Sequence, residues 1–274
     1  MNLLDFRFDK YSSTGNDGII QKIFEILDIE KGFFVEFGAD DGIRGSNCRN
    51  LYEQEWSGVF IEANSIKYAK LVKNYENNDR IECIRALIGI DNNLFDHVVN
   101  DFVDEDIDFC SIDIDGLDVM VFETFEKNLP KVVCIEGGQM LPPFDDRVSE
   151  NIAKNNIQQS LIVMCKVFEA KGYRLLCSYQ DSFFIRKEFY EKFDVSNNIF
   201  DLYLDGLKAI PRRIPWICEI LKENGLSNDT LTMILVNCGY TFYGYEKRKE
   251  WAIDNKKLIE TGIEYIRKNN EYTN

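Results

Sequence analysis

The chain has 274 residues, 45% of them hydrophobic and 13% aromatic, enough for one large domain with a sizeable core. Its net charge of −15 disfavours general affinity for nucleic acid or anionic membrane, since both need clustered Lys and Arg. No apolar run approaches the roughly 18 residues of a membrane helix, and Met1–Arg7 lacks the basic and apolar regions of a signal peptide.

Residues 1–16 are mixed and end in the turn composition Tyr11-Ser12-Ser13-Thr14-Gly15-Asn16. Asp17 is expected to cap a helix with Ile19, Ile20, Ile23, Phe24 and Leu27 on one face. Phe33–Phe37 reads as a strand buried on both faces. The glycine-containing turn Gly38-Ala39-Asp40-Asp41-Gly42 follows at once, and then a helix over about 46–55, with Ser46 and Asn47 as its capping residues. The alternation continues with a strand Gly58–Ile61 closed by Glu62, a helix Ser65–Tyr75, a strand 81–88 and a short helix 93–100. A strand 107–114 runs into Asp113-Ile114-Asp115-Gly116; a helix 117–127 and a strand 131–135 closed by Glu136 come next. A long helix over 149–171 then leads to a hairpin of two strands, 173–179 and 182–186. These elements predict an α/β fold: a Rossmann-like, mostly parallel sheet with a terminal antiparallel hairpin. The domain expected over 1–193 is followed by a helical appendage, 194–274, with helices over 199–207, 214–224, 228–236 and 250–268. That appendage is a candidate lid, acceptor cap or homodimer surface.

The eight cysteines are single, with no Cys-x-x-Cys pair, which fits reduced thiols in a cytoplasmic protein and disfavours a cysteine-built zinc site. In such a sheet the carboxyl ends of neighbouring strands share one crevice. Four of those ends carry acids: Glu36, Glu62, Asp113 with Asp115, and Glu136. Acids suit a cationic or hydroxyl-rich ligand and suit a diphosphate poorly. A dinucleotide site wants Gly-x-Gly-x-x-Gly, but Asp40 stands at the middle glycine position, with Asp41 beside it. S-adenosylmethionine carries no phosphate and tolerates both, and Glu62 is placed to bind its ribose hydroxyls. An NAD-linked oxidoreductase and a non-catalytic Rossmann-like binding or assembly module are the competing readings. No Gly-x-Ser-x-Gly elbow supports a hydrolase.

Val35–Gly42 with Ser46-Asn47, Trp56–Asn64 including Glu62 and Ala63, Ser111–Asp118, and Gly172-Tyr173 with Ser182–Arg186 together resemble class I S-adenosylmethionine-dependent methyltransferases of the FkbM type. The likeness spans about 11–193, and Asp40 replaces that family's usual Asn. The resemblance implies that Glu36, Gly38, Ala39, Asp40 and Gly42 hold the methionine part, with Ser46 and Asn47 beside them. It implies further that Glu62 takes the ribose, that Leu87 and its neighbours Ala86 and Ile88 line the adenine, and that Tyr11 with Asn16-Asp17 closes over the cofactor. Asp113 or Asp115 is then a general base, or Asp113, Asp115 and Glu136 hold Mg²⁺. The expected activity is O-methylation of a small molecule or glycan building block, at a sugar hydroxyl or a phosphate-type group, in surface-polysaccharide modification. His97, the single histidine, is expected to be exposed or structural rather than catalytic.

Overall fold

The computed structural model describes residues 1–103, 106–138, 143 and 159–209. A 3-10 turn, Leu3–Phe6, precedes α1 (Asn16–Leu27), β1 (Phe33–Phe37), α2 (Arg49–Glu53), β2 (Ser57–Ile61), α3 (Ser65–Tyr75), β3 (Ile81–Ile84), α4 (Phe95–Val99), β4 (Phe109–Ile112), α5 (Asp118–Glu123) and β5 (Val132–Glu136). After the undescribed stretch come α6 (Leu161–Ala170), the hairpin β6 (Tyr173–Ser178) and β7 (Asp181–Arg186), α7 (Lys187–Tyr190) and α8 (Ile199–Ala209). The sheet runs β3-β2-β1-β4-β5-β7-β6. β1 to β5 are mutually parallel, and β7 lies antiparallel between β5 and β6. This is the Rossmann-like sheet with a terminal antiparallel hairpin expected from the sequence.

The lack of alternation in the strands has a direct cause: helices cover both faces. In β1, Phe34 packs with Trp56, Phe60 and α1 on one face, while Val35 and Phe37 join Phe95, Phe122 and Phe125 on the other. The second face is largely aromatic. Phe95–Phe125, Phe122–Phe168 and Phe168–Phe184 each stack with centroids 3.8 Å apart. Such rings bring large buried area and a geometric preference that fixes α5 and α6 on the sheet.

Several element boundaries differ from expectation, and in most of these cases a side chain has captured backbone amides. α1 starts at Asn16 after Gly15 in the left-handed region (φ 86°). Asp17 is not its cap; its Oδ2 instead accepts the N–H of Lys10, Tyr11 and Ser12 at 2.7–2.9 Å. The helix expected over 46–55 narrows to Arg49–Glu53 because Glu36 holds residues 46–48 in a loop. Asp118 accepts from Ile114 and Gly116, both at 2.8 Å, and pulls the chain out of β4 early. Asp96 takes the amides of Glu126 and Asn128, which ends the helix expected to reach residue 127. β3 stops at Ile84, four residues short of its expected end. Of the long helix expected over 149–171, the described part is α6, which begins only at Leu161 because Ser160 bridges Gly138 and caps it. Residues 149–158, and the helices expected over 214–224, 228–236 and 250–268, lie outside the described residues.

Candidate functional site

β1 ends in a turn that only glycine can open. Gly38 has φ +78°, and a Cβ there would lie 1.7 Å from the carbonyl oxygen of Asp113. The turn is thereby pressed against the end of β4. Asp40 also takes a left-handed φ of 50°, and its N–H donates to Glu62 Oε2 at 2.9 Å. Glu62, buried at the end of β2, accepts from Asn64 N through its other oxygen at 2.6 Å. One carboxylate therefore joins the β1 turn to the start of α3. The two acids of the turn are both engaged. Asp40 pairs with Lys67 (2.8 Å) at the surface, and Asp41 Oδ1 accepts from Ile43 and Arg44 at 3.0 Å. That exposed ion pair is weak, but it offsets part of the phosphate repulsion expected at this turn.

Glu36 is buried, and its oxygens accept from Ser46 Oγ (2.6 Å), Asn47 N (2.9 Å) and Cys48 N (3.2 Å). Burial raises its carboxyl above the ordinary value, and the three hydrogen bonds oppose that rise. Glu36 shapes the loop that presents Asn47 to the cleft rather than lining the cleft itself. Asn47 Nδ2 donates to Ser111 Oγ of β4 at 2.9 Å, and Asn16 Nδ2 donates to Asn47 Oδ1 at 3.0 Å.

These groups border a cleft of about 230 Å³ at the carboxyl edge, lined by Ser13, Thr14, Asn16, Gly45, Asn47, Asp113, Glu136, Gln180 and Asp181. The lining is hydroxyl, amide and carboxylate, with no Lys or Arg among the described residues. Carboxylate oxygens of Asp113, Asp115 and Glu136 all lie within 4.8 Å of one another. Burial, then the charges of Glu136, Asp181, Asp118 and Asp115, push the Asp113 carboxyl up to about 8. Asp113 is nevertheless exposed by area at the cleft mouth. Water there screens both the burial effect and the repulsion from the four acids, so the upward direction is what the geometry supports.

The expected residues therefore fall into groups. Asp113, Glu136, Asn47 and Asn16 meet in the cleft; Asp115 joins Asp113 and Glu136; Glu36 and Ser46 support it from behind. Gly38, Ala39, Asp40, Gly42 and Glu62 form the adjoining turn. Ala63 and Leu87 are exposed beyond β2 and β3, Leu87 by 68%, as is Ile66 in the first turn of α3. Tyr11 is absent from the cleft lining; its carbonyl accepts from Gly45 N at 2.8 Å and its ring lies 5.5 Å from the Arg49 guanidinium. His97 is exposed on α4 and lines no part of the cleft. Asp181 and Gln180 escaped the sequence reading. The available signal was the hairpin: an antiparallel β7 must start where β5 ends, and Asp181 does sit opposite Glu136.

No protein-family model and no curated protein matches the chain. Solved structures similar to it include an O-methyltransferase from Bacillus cereus in complex with S-adenosylhomocysteine, at 16% identity over 66% of this chain and 83% of that one, TM-score 0.44. TrmK of M. capricolum with S-adenosylhomocysteine is similar at 10% identity over 90% of this chain and 96% of that one, TM-score 0.43. The CurJ carbon methyltransferase is similar at 10% identity and TM-score 0.44, over 64% of this chain, which spans 55% of that protein's length.

Proposed function

We propose that the chain is an S-adenosylmethionine-dependent O-methyltransferase of the FkbM type, acting in the cytoplasm on a small-molecule or glycan hydroxyl in surface-polysaccharide modification. The observation that carries this reading is the continuity of two neighbouring features. A glycine turn braced by Glu62 and pressed against Asp113 adjoins a cleft of carboxylates, amides and hydroxyls that has no lining cation among the described residues. Among the described residues a pyrophosphate finds no positive partner in the cleft lining, whereas an adenosyl sulfonium and a hydroxylated acceptor do find complementary groups. Exposed Leu87 and Ile66 offer apolar surface for an adenine beyond the ribose acid. The all-polar lining also favours a sugar hydroxyl over a phosphate-type acceptor.

S-adenosylmethionine supplies a methyl group on a sulfonium, which leaves as a neutral thioether and needs no acid. The protein's task is to align an acceptor hydroxyl in line with the C–S bond and to take its proton as the C–O bond forms. Asp113, its carboxyl raised by burial and by its acidic neighbours, is the group placed to take that proton, with Asp115 beside it. The convergence of Asp113, Asp115 and Glu136 within 4.8 Å is a set of hard oxygen donors that fits Mg²⁺. Bound there, the ion would lower the pKa of an acceptor hydroxyl.

Calorimetric titration with S-adenosylhomocysteine tests the reading, with NAD and MgCl₂ as parallel titrants. The expected result is micromolar binding of S-adenosylhomocysteine that is lost in Glu62→Ala and absent for NAD, and Mg²⁺ binding that is lost in Glu136→Gln. No binding of S-adenosylhomocysteine would sink the assignment.

A further inference from the structure

The segment before α1 supplies Ser13, Thr14 and Asn16 to the cleft. One of its ties is local, Asp17 Oδ2 gathering the amides of residues 10–12, and a second runs to the loop after β1, where Tyr11 O accepts from Gly45 N. A third reaches across the molecule. Asp181 Oδ2, at the start of β7, accepts from Thr14 Oγ1 at 2.9 Å and from Asn16 Nδ2 at 2.5 Å. The same Asn16 amide group reaches Asn47 Oδ1, and Asn47 reaches Ser111 of β4. One carboxylate on β7 thus anchors a run of contacts that closes around the cleft to β4.

We infer that Asp181 is a positioning residue: it holds residues 13–16 as a wall of the cleft and sets Asn16 and Asn47 against the bound cofactor. What the wall is for rests on the methyltransferase reading; the tie itself does not. The structure also supplies a reporter. Cys134 is 1% exposed, in the core beneath two cleft-lining amides, with Asn16 Nδ2 and Asn47 Nδ2 at 4.0 Å and 3.7 Å from its Sγ. Loosening the wall uncovers this thiol, whereas Cys110, fully buried in the core on the other face of the sheet, stays covered unless the whole domain opens.

The test is alkylation of ligand-free protein by N-ethylmaleimide, resolved by site with mass spectrometry, beside S-adenosylhomocysteine titration. Losing hydrogen bonds to a charged acceptor predicts about tenfold faster labelling at Cys134 and about tenfold weaker S-adenosylhomocysteine binding in Asp181→Ala. Asp181→Asn keeps an oxygen for Thr14 or Asn16 and restores much of both, which a general loss of stability would not reproduce. Unchanged Cys134 labelling in Asp181→Ala, or labelling of Cys110 in step with Cys134, would overturn the tie. Faster Cys134 labelling with unaltered S-adenosylhomocysteine affinity would overturn the positioning role. If the unsubstituted protein binds no S-adenosylhomocysteine, the methyltransferase reading falls, and the Cys134 rate still decides the tie.

Discussion

Glu36 is an ionisable group placed where water does not reach, and three donors partly offset that placement. Its carboxyl sits above the ordinary 4.5 because burial outweighs those bonds. The folded state then keeps this proton to higher pH than the unfolded chain does. Folding stability from this group consequently falls as pH rises from about 4.5 through the raised folded value, and is level below 4.5. Glu36→Gln removes that fall. It also turns an amide N–H toward groups that are themselves donors, at a cost of about 1–3 kcal/mol. Urea unfolding between pH 4.5 and 7.5 should show the variant's deficit shrinking as pH rises; a constant deficit would contradict the raised carboxyl. The role of Glu36 was only partly legible in the sequence. An acid closing an apolar run marks a strand end, but whether it faces a ligand or a loop depends on residues ten to twelve positions away. Asp181 was harder still, since its partner Thr14 is 167 residues distant and no local pattern joins them.

At the scale of elements, the β1 turn depends on close approach more than on backbone freedom alone. Gly38 and Gly172 both have left-handed φ, +78° and +83°, but a Cβ at Gly172 meets nothing within 4 Å while one at Gly38 lands on the Asp113 carbonyl. Gly172→Ala should therefore cost only the conformational strain, about 1–2 kcal/mol. Gly38→Ala must also push β4 and the turn apart, and should cost more than about 3 kcal/mol or prevent folding. Denaturant midpoints of the two variants check this, and equal losses would refute the contact argument. The order and type of the elements were readable because apolar runs and helical periods record burial directly. Their ends were not. Asp17, Asp96 and Asp118 each halt or displace an element by capturing amides, and a carboxylate's choice of amide is made by the tertiary fold.

For the molecule as a whole, the extent of the domain is set by burial rather than by change in composition. The sequence turns helical after 193, which suggested a separate appendage from 194 onward. Yet α8 lays Leu202, Tyr203 and Leu207 into the core that contains Phe168 and Phe184, with Tyr203 and Leu207 fully buried. Its last described residue is also held from the start of the chain, because the Arg7 guanidinium donates to Ala209 O at 3.3 Å through both terminal nitrogens. Each large apolar side chain removed from such a site forfeits about 1.5–3 kcal/mol of burial. A chain ended at Phe193 should thus be less stable by roughly 5 kcal/mol or more than one ended at Ala209, a large share of a domain's net stability. Thermal unfolding of the two truncated chains checks the boundary. Equal melting temperatures would mean that α8 adds nothing to the core and that the domain closes at 193. A large gap would place α8 in the fold that carries the cleft, and would move the start of any separate helical unit beyond Ala209.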